Sequence, residues 1–155
     1  MRETIDVIKV HTEDSVRGFF DEYRFLSNYH LCEVVYEGLT YSSAEGAYQA
    51  AKTEDEYTKT IFQTLAPLEC KRKGKSFRLR KGWEKMKERV MHDVVRDKFT
   101  RNLDLREKLL ETGSKYLEET NYWGDTFWGV CEGKGKNKLG EILMKVRKEI
   151  ANESK

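Results

Sequence analysis

Residues 121–140 read N-Y-W-G-D-T-F-W-G-V-C-E-G-K-G-K-N-K-L-G, and this stretch guides the interpretation of the whole chain. It holds two of the three tryptophans, Trp123 and Trp128, one aspartate, Asp125, and five of the eleven glycines. Glycines at this density interrupt helical and strand periods, so an irregular, repeatedly turning loop is predicted. Indole faces on such a loop suit stacking against a base or sugar, and a carboxylate among them suits acid or base chemistry. The alternative is a loop whose tryptophans only fill space over the core.

The overall composition is typical of a globular protein with a mixed-charge surface. At 155 residues the chain is long enough to bury a core, and we predict a single domain over residues 1–155. Charged residues make up 36% and the net charge is +2, so the total charge does not require a polyanionic partner. No apolar run approaches the length of a membrane span or a signal sequence, so a cytoplasmic protein without a membrane partner is expected.

Residues that commonly bind metals are few and far apart in the sequence. The three cysteines and three histidines are Cys32, Cys70, Cys131, His11, His30 and His92. Their spacing fits neither a disulfide framework nor a zinc site. We therefore predict no metal ion and no other cofactor.

The first forty residues carry the signals for β-structure. Short apolar, partly β-branched runs predict strands over residues 5–10 and 16–20. Residues 32–41 predict a hairpin that turns at Glu37-Gly38. Between these strands, residues 23–29 are aromatic yet polar and are a candidate loop for a binding site.

From Ser42 onwards the apolar period becomes helical. Two S/T-x-x-E patterns, Ser42 with Glu45 and Thr53 with Glu56, predict capping boxes at the start of two helices, the second ending near residue 65. Further helices are predicted from residue 67 to residue 74, over residues 82–101 and 103–111, and after Asn137 as N-cap. The predicted fold class is α+β and helix-rich, with several helices packed around a small β-hairpin or sheet.

Glu45, Gln49 and Lys52 form a polar stripe on an otherwise alanine-rich helical segment. Their spacing of four and three residues places them on one helix face. The flanking Tyr41 and Tyr48 indicate that the stripe is not on a bare surface. The alternative is that Glu45 only caps the helix and that the charged side chains are solvated.

Residues 71–81, K-R-K-G-K-S-F-R-L-R-K, form the one strongly basic segment. Arg78 and Arg80 alternate along an extended segment and would face the same side, which suits phosphate binding. The alternative is a solvated charged loop. Trp83 either stacks on a ligand or is the first core anchor of the long helix.

Seven short motifs, in order along the chain, resemble those of the NADAR family, also called YbiA-like. They are F-L-S-N-Y (residues 25–29), G-L-T-Y-S-S-A-E-G-A-Y-Q-A-A-K (38–52), W-x-x-x-K-x-x-V-M (83–91), K-F-x-x-N (98–102), L-L-x-T-G (109–113), G-D-x-x-W-G (124–129) and G-K-N-x-L-G-x-x-L-M-x-V-R (135–147). Each motif is weak alone, but seven with fitting spacing are specific. One departure is Gly46, which stands where the family usually has histidine after the motif glutamate.

The resemblance implies a YbiA-like fold and an N-glycosidase that cleaves the bond between a ribose, phosphoribose or ADP-ribose and a base or amine. ADP-ribosylated guanine and ribosylamino-pyrimidine intermediates of riboflavin synthesis are the implied substrates, with ADP-ribosylated nucleic acid as a further partner. Glu45, Asp125 and Lys52 match the family's two acids and its lysine, and Lys52 is expected to attack the anomeric carbon through a Schiff-base intermediate. The expected substrate-binding residues are Phe25, Asn28, Tyr48, Gln49, Arg80, Trp83, Trp123, Trp128, Gly129 and Asn137.

Two questions about this mechanism stay open at the level of sequence. Cleavage builds positive charge on the ribose, so one carboxylate stabilises the transition state while another group protonates the departing base. Glu45 and Asp125 are the two candidates, and the sequence does not assign the roles. Lys52 must be neutral to attack; burial would lower its pKa, whereas Glu45 would raise it.

Two alternative functions do not require this chemistry. A non-catalytic ADP-ribose or nucleotide-binding module would keep the tryptophans and Asn28 but could lose Glu45 or Lys52, which are both present. A nucleic-acid-binding protein would use the basic segment 71–81, although the low net charge makes this weaker.

Overall fold

A computed structural model of the chain describes residues 11–153. These residues fall into two compact units, residues 28–106 and residues 11–27 with 107–153. The single domain over residues 1–155 stays a prediction. The elements in chain order are β1 (Ser15–Arg17), a 3₁₀ helix (Asp21–Leu26), β2 (Leu31–Tyr36), β3 (Leu39–Ser43), α1 (Ala44–Ala50), α2 (Glu56–Phe62), α3 (Pro67–Lys73), α4 (Trp83–Arg101), α5 (Leu103–Glu111), β4 (Tyr116–Glu118), β5 (Thr120–Asn121), β6 (Val130–Cys131) and α6 (Lys138–Glu153). The predicted helix-rich α+β class is confirmed.

In the unit formed by residues 28–106, the β-structure is the hairpin of β2 and β3, which pair antiparallel. Glu37 and Gly38 connect the two strands with φ values of 48° and 82°. Two successive residues in the left-handed region are what a tight two-residue hairpin turn needs. The hairpin predicted to turn at Glu37-Gly38 is therefore confirmed.

The helix α1 begins one residue later than the predicted capping box requires. Its N-cap is Ser43, whose hydroxyl accepts a 3.0 Å hydrogen bond from the backbone N–H of Gly46. Ser42 still belongs to β3, because the extended backbone continues through Ser43. The capping box of Ser42 with Glu45 was therefore wrong.

The start of α2 also differs from its prediction. Asp55 is the N-cap, and its carboxylate accepts hydrogen bonds from the backbone N–H and the hydroxyl of Thr58. The predicted capping box of Thr53 with Glu56 was wrong, because the Thr53 hydroxyl instead accepts from the backbone N–H of Asp55. The helix ends at Phe62 rather than near residue 65, whereas α3 starts at Pro67 and is followed by Gly74, as predicted.

The long helix α4, predicted over residues 82–101, begins at Trp83, ends at Arg101 and buries one largely apolar face. The residues buried along this face are Trp83, Val90, Met91, Val94, Val95 and Phe99. Lys98 lies on the same buried face and is only 1% exposed. Burial lowers the pKa of its ammonium group from 10.5 to about 8, and nearby Cys32 opposes this shift.

In the unit formed by residues 11–27 and 107–153, β1 pairs with β4 and β5 pairs with β6, both in parallel. The strand predicted over residues 16–20 is confined to Ser15–Arg17, because Gly18 turns the chain with a φ of 95°. The strand predicted over residues 5–10 lies outside the described residues. No helix within residues 11–153 combines the length and apolar character needed to cross a bilayer.

The helix α6 packs against β4, and the buried residues of its apolar face are Leu139, Ile142, Leu143, Val146 and Ile150. Asn137 precedes this helix, and its backbone carbonyl accepts the first helical hydrogen bond, from Glu141. Its side-chain amide contacts the strand region rather than the helix. It donates to the carbonyl of Leu117 and accepts from the backbone N–H of Glu119. Asn137 thus ties the start of α6 to the end of β4.

Candidate active site

Glu45 and Gln49 are brought together on α1, which is buried along its whole length. Glu45 is 7% exposed and Gln49 is 5% exposed, so the alternative of a solvated polar stripe does not apply to them. The side-chain amide of Gln49 donates a 2.7 Å hydrogen bond to Oε2 of Glu45. A carboxylate and an amide are therefore held in one geometry inside the unit.

Lys52 lies just beyond the helix that carries Glu45 and Gln49. Since α1 ends at Ala50, Lys52 occupies the following turn, with its backbone N–H donating to the carbonyl of Gln49 at 3.2 Å. The prediction that all three side chains share one helix was wrong in this detail. The Lys52 side chain is half-buried, with its ammonium nitrogen 5.6 Å from the centre of the Tyr48 ring.

The pKa of Lys52 is lower than its ordinary value of 10.5. Burial is the largest cause, since it disfavours the charged ammonium form, and the nearby ammonium groups of Lys75 and Lys87 act in the same direction. The carboxylate of Glu45 opposes them. The conflict between burial and Glu45 that the sequence indicated is therefore present, and burial prevails.

Arg80 contacts the turn that carries Lys52. Its backbone N–H donates to the carbonyl of Lys52 at 2.7 Å, and its guanidinium donates to the carbonyl of Ala51 at 3.2 Å. The same guanidinium lies 3.4 Å from carboxylate oxygens of both Glu37 and Glu54. Arg80 stabilises this turn through these bonds, while its predicted contact with a substrate phosphate stays a prediction.

Tyr48 and Trp83 pack on each other within the core of this unit. Their ring centres are 5.4 Å apart at an interplanar angle of 54°, and both residues are at most 5% exposed. This geometry is typical of a contact within a hydrophobic core. It favours the alternative that Trp83 is the first core residue of the long helix and does not stack on a ligand. Substrate contacts for both residues stay predictions.

Asn28 holds the beginning of α1. Its backbone carbonyl accepts a 3.0 Å hydrogen bond from the N–H of Glu45, and its side-chain amide donates to the sulfur of Met91 at 3.4 Å. Asn28 therefore positions the backbone of the candidate acid. Its predicted contact with substrate stays a prediction.

In the other unit, Asp125 organises the glycine- and tryptophan-containing loop of residues 121–140. Its Oδ1 accepts hydrogen bonds from the backbone N–H groups of Phe127 and Trp128, at 3.1 and 2.9 Å. The side chain of Asn121 holds the backbone of Asp125: its amide N–H donates to the Asp125 carbonyl, and its amide oxygen accepts from the Asp125 N–H. Both bonds to the carboxylate reach the same oxygen, and no described residue donates a hydrogen bond to Oδ2.

The aromatic residues predicted to bind substrate in this unit differ in exposure. Trp123 is 47% exposed and contacts Tyr122 edge-on, with ring centres 5.1 Å apart. Trp128 is half-buried and packs edge-on against Phe127 at 4.8 Å. Phe25 is 5% exposed, with the ammonium of Lys108 5.8 Å from its ring centre. Trp123 is the residue of this group that offers an open indole face.

Gly129 is required by close approach of two backbone segments. A β-carbon at Gly129 would lie 2.2 Å from the carbonyl oxygen of Glu119, and one at Gly135 would lie 2.1 Å from the carbonyl oxygen of Gly129. These distances leave no room for a side chain. The glycines of the loop therefore allow it to fold tightly on itself, and a substrate contact by Gly129 or Asn137 stays a prediction.

The structure adds neighbours that the sequence interpretation did not include among the site residues. Lys75 and Lys87 lie within electrostatic range of Lys52. Gly74 lies against the Gln49 amide, since a β-carbon there would be 1.9 Å from Oε1. Two of these residues belong to the basic segment, but the sequence carries no signal that Gly74 faces Gln49.

Comparison with known proteins connects this geometry to a family. Residues 11–151 match the family model described as NADAR domain. The chain is 37% identical over 149 residues to N-glycosidase YbiA of Escherichia coli (strain K12), covering 91% of this chain and 92% of that protein. It is 34% identical over 139 residues to riboflavin biosynthesis protein VVA0006 of Vibrio vulnificus (strain YJ016), covering 84% and 36%. The NMR structure of E. coli YbiA matches with a TM-score of 0.81 at 34% identity, covering 96% of this chain and 91% of that chain.

Proposed function

Because this chain belongs to the NADAR family and is an N-glycosidase, we propose that it hydrolyses the bond between a ribose, phosphoribose or ADP-ribose and a base or amine. The observation that carries this proposal is the arrangement of Glu45, Gln49 and Lys52. It combines an amine of lowered pKa with a buried carboxylate in its electrostatic range. An amine that is more easily neutral is a better nucleophile towards an anomeric carbon.

Lys52 is the proposed nucleophile. Its neutral nitrogen forms a bond to the anomeric carbon while the bond from that carbon to the base nitrogen breaks. The proton lost by the attacking amine passes to the carboxylate of Glu45, and the protonated Glu45 then gives it to the departing nitrogen. Water then cleaves the bond between Lys52 and the sugar, directly or through the open-chain Schiff base, and releases the free ribosyl product.

Asp125 is proposed as the second carboxylate of the reaction. The loop N–H groups of Phe127 and Trp128 hold its Oδ1, which fixes the direction in which Oδ2 projects. A fixed carboxylate oxygen can stabilise the positive charge that develops on the ribose. The proposed role is therefore electrostatic, with the proton transfers assigned to Glu45.

A phosphate on the substrate is supported by the charges around Lys52. Lys75 and Lys87 both lower the pKa of Lys52, so their positive charges act on the site, and Lys87 is also paired with Glu84 at 2.9 Å. These two charges would attract a phosphate group of the substrate. Both ADP-ribosylated guanine and a phosphoribosylamino-pyrimidine carry phosphate, and the name of the Vibrio vulnificus relative supports the second.

The test is a mass-spectrometric assay of three substrates: ADP-ribosylated guanosine, a phosphoribosylamino-pyrimidine and NAD. The native protein is compared with Glu45→Gln and Lys52→Ala, and with Glu107→Gln and Lys85→Ala as controls on exposed residues. We expect release of base and free ribosyl product from at least one substrate by the native protein and both controls. Loss of cleavage in both site variants would support the proposed site, whereas full activity in either would exclude that residue's role.

A non-catalytic ADP-ribose-binding module is the second candidate function. It is favoured by the exposed indole of Trp123, which can stack on an adenine base without chemistry. Binding of ADP-ribose by the native protein without cleavage of any of the three substrates would favour this candidate. Binding to plain DNA that Glu45→Gln leaves intact and modest salt abolishes would favour a nucleic-acid-binding function instead.

A further inference from the structure

In the described part of the chain, only one of the two polar atoms in the side-chain amide of Gln49 has a hydrogen-bond partner. Its nitrogen donates to Glu45, but its oxygen, Oε1, is buried and has no hydrogen-bond partner among the described residues. A buried carbonyl oxygen without a donor costs free energy that an apolar side chain of similar shape would avoid. The hydrogen bond that this side-chain amide makes is therefore the one from its nitrogen to Glu45.

The unpartnered oxygen occupies the space where Gly74 lacks a side chain. A β-carbon on Gly74 would lie 1.9 Å from Oε1 and 2.8 Å from Cδ of Gln49. The backbone of Gly74 is right-handed helical, with φ −59° and ψ −13°, a conformation that needs no glycine. Gly74 is therefore required by the volume of the Gln49 amide and not by its own backbone geometry.

We propose that Gly74 and Gln49 are positioning residues that together fix the carboxylate of Glu45. The gap at Gly74 admits the amide oxygen in one orientation, and this orientation directs the amide nitrogen at Oε2 of Glu45. Filling the gap forces the amide to rotate or withdraw, which breaks or lengthens the bond to Glu45. The inference rests on the proposed function in one respect, that Glu45 is the acid acting with Lys52.

Gly46 provides a matched control on the same helix as Glu45. A β-carbon there would lie 3.4 Å from the hydroxyl of Ser43 and 3.6 Å from the sulfur of Cys70, which are ordinary contacts. Gly46 is helical and buried, as Gly74 is at the end of its helix. The two glycine-to-alanine changes thus add the same methyl group, but only one of them meets Gln49.

The experiment is a double-mutant cycle with a readout that needs no substrate. Native protein, Gly74→Ala, Gln49→Ala and the double variant are acylated across a pH series, and the labelling midpoint of Lys52 is measured by peptide mass spectrometry. Moving the Glu45 carboxylate away from Lys52 weakens the effect that raises the pKa of this amine, so Gly74→Ala is expected to lower the midpoint. In the Gln49→Ala background the extra methyl has room, so Gly74→Ala is expected to cause no further shift.

The outcomes separate this inference from the proposed function. Equal shifts from Gly74→Ala in both backgrounds, or no shift in folded Gly74→Ala, would overturn the inference. Glu45→Gln, assayed in parallel for cleavage, tests the proposed role of Glu45 as the acid acting with Lys52: if this variant stays active, that role fails whatever the cycle shows. Gly46→Ala is expected to leave both the midpoint and kcat unchanged.

If Gly74→Ala does not fold, a second variant tests the same inference. Gln49→Leu keeps the bulk of the side chain but lacks the N–H group, and Gly74 stays intact. We expect it to fold, to lower kcat by roughly tenfold or more through loss of orientation, and to shift the kcat–pH profile. A native kcat and profile in Gln49→Leu would overturn the inference, since a purely space-filling role would not need the amide.

Discussion

The backbone N–H of Arg80 donates a 2.7 Å hydrogen bond to the carbonyl oxygen of Lys52. The Arg80 guanidinium adds a 3.2 Å bond to the carbonyl of Ala51, the residue before. Two consecutive carbonyls at the end of α1 are therefore held by one residue. The orientation of the Lys52 side chain depends on this turn, because Lys52 lies outside the helix that carries Glu45.

Arg80→Ala is expected to weaken this turn. The backbone bond survives, but the guanidinium bond to Ala51 and the two carboxylate contacts are lost, so the free energy of unfolding should fall by about 2 kcal/mol. Urea unfolding measures this change, with exposed Arg78→Ala as control, expected within about 0.5 kcal/mol of native. Equal effects of the two changes would show that the guanidinium does not hold the turn.

Glu45→Gln is expected to lower the pKa of Lys52 further. The Glu45 carboxylate raises this pKa, so a neutral amide at the same place leaves burial and the nearby lysines opposed only by Glu84. A lower pKa means more neutral amine at a given pH, and the acylation midpoint of Lys52 moves to lower pH. Exposed Lys85, labelled in the same sample, should keep its midpoint. A rise in the Lys52 midpoint would contradict the prediction.

Reduction with borohydride during turnover is expected to trap the sugar on Lys52. A Schiff base between the Lys52 amine and the ribosyl carbon is reduced to a stable secondary amine, which adds the mass of the reduced sugar to one peptide. Intact-mass and peptide spectra should show this adduct in the native protein and in Lys85→Ala but not in Lys52→Ala. An active protein without any adduct would favour direct attack by water.

Some of the site could be predicted from the sequence because it depends on local signals. The turn at Glu37-Gly38 and the start of α3 at Pro67 follow from backbone preferences of single residues, and both are confirmed. Helix starts were less accurate, since Ser42 and Ser43 have the same side chain and only the length of β3 decides which of them caps α1. That length depends on pairing with β2.

The contacts of buried charged and polar groups could not be predicted from the sequence. Lys98 falls on the apolar face of α4, but a lysine at that spacing is usually assigned to the surface. Gly74 resembles an ordinary residue at a helix end, and its relation to Gln49 depends on how α1 and α3 pack. Packing between separate helices sets both environments, and no local pattern reports it.

Two changes at Asp125 are expected to separate its structural role from its charge. Asp125→Asn keeps an oxygen that accepts from Phe127 and Trp128, so stability should stay within about 0.5 kcal/mol of native. Asp125→Ala loses both bonds and should cost about 1–2 kcal/mol. Cleavage should fall by on the order of a hundredfold in both, because each lacks the negative charge. Exposed Asp104→Asn is the control.

Full activity in Asp125→Asn would show that the carboxylate charge is not used in the reaction. Equal stability losses in the asparagine and alanine variants would show that the hydrogen bonds to Oδ1 do not hold the loop. Steady-state cleavage and thermal unfolding of the same preparations measure both quantities.

Titration of Lys98 is expected to make the free energy of unfolding depend on pH. Its pKa is about 8 in the folded protein and near 10.5 when unfolded, so between these values the unfolded chain binds a proton that the folded chain does not. The free energy of unfolding therefore rises with pH across this window, by up to about 3 kcal/mol from this group. Lys98→Met lacks this rise and should be more stable at pH 7 by up to a similar amount.

Urea unfolding of native protein and Lys98→Met at pH 7 and at pH 10.5 measures this difference. Groups that titrate in the same window without interacting with Lys98 contribute equally to both proteins and cancel in the comparison, whereas Cys32 is coupled to Lys98 and is therefore replaced by serine in both. Exposed Lys85→Met should track the native protein at both pH values. A constant difference between native protein and Lys98→Met would mean that Lys98 does not lose its charge in this range, and that its ammonium is held by interactions strong enough to offset burial.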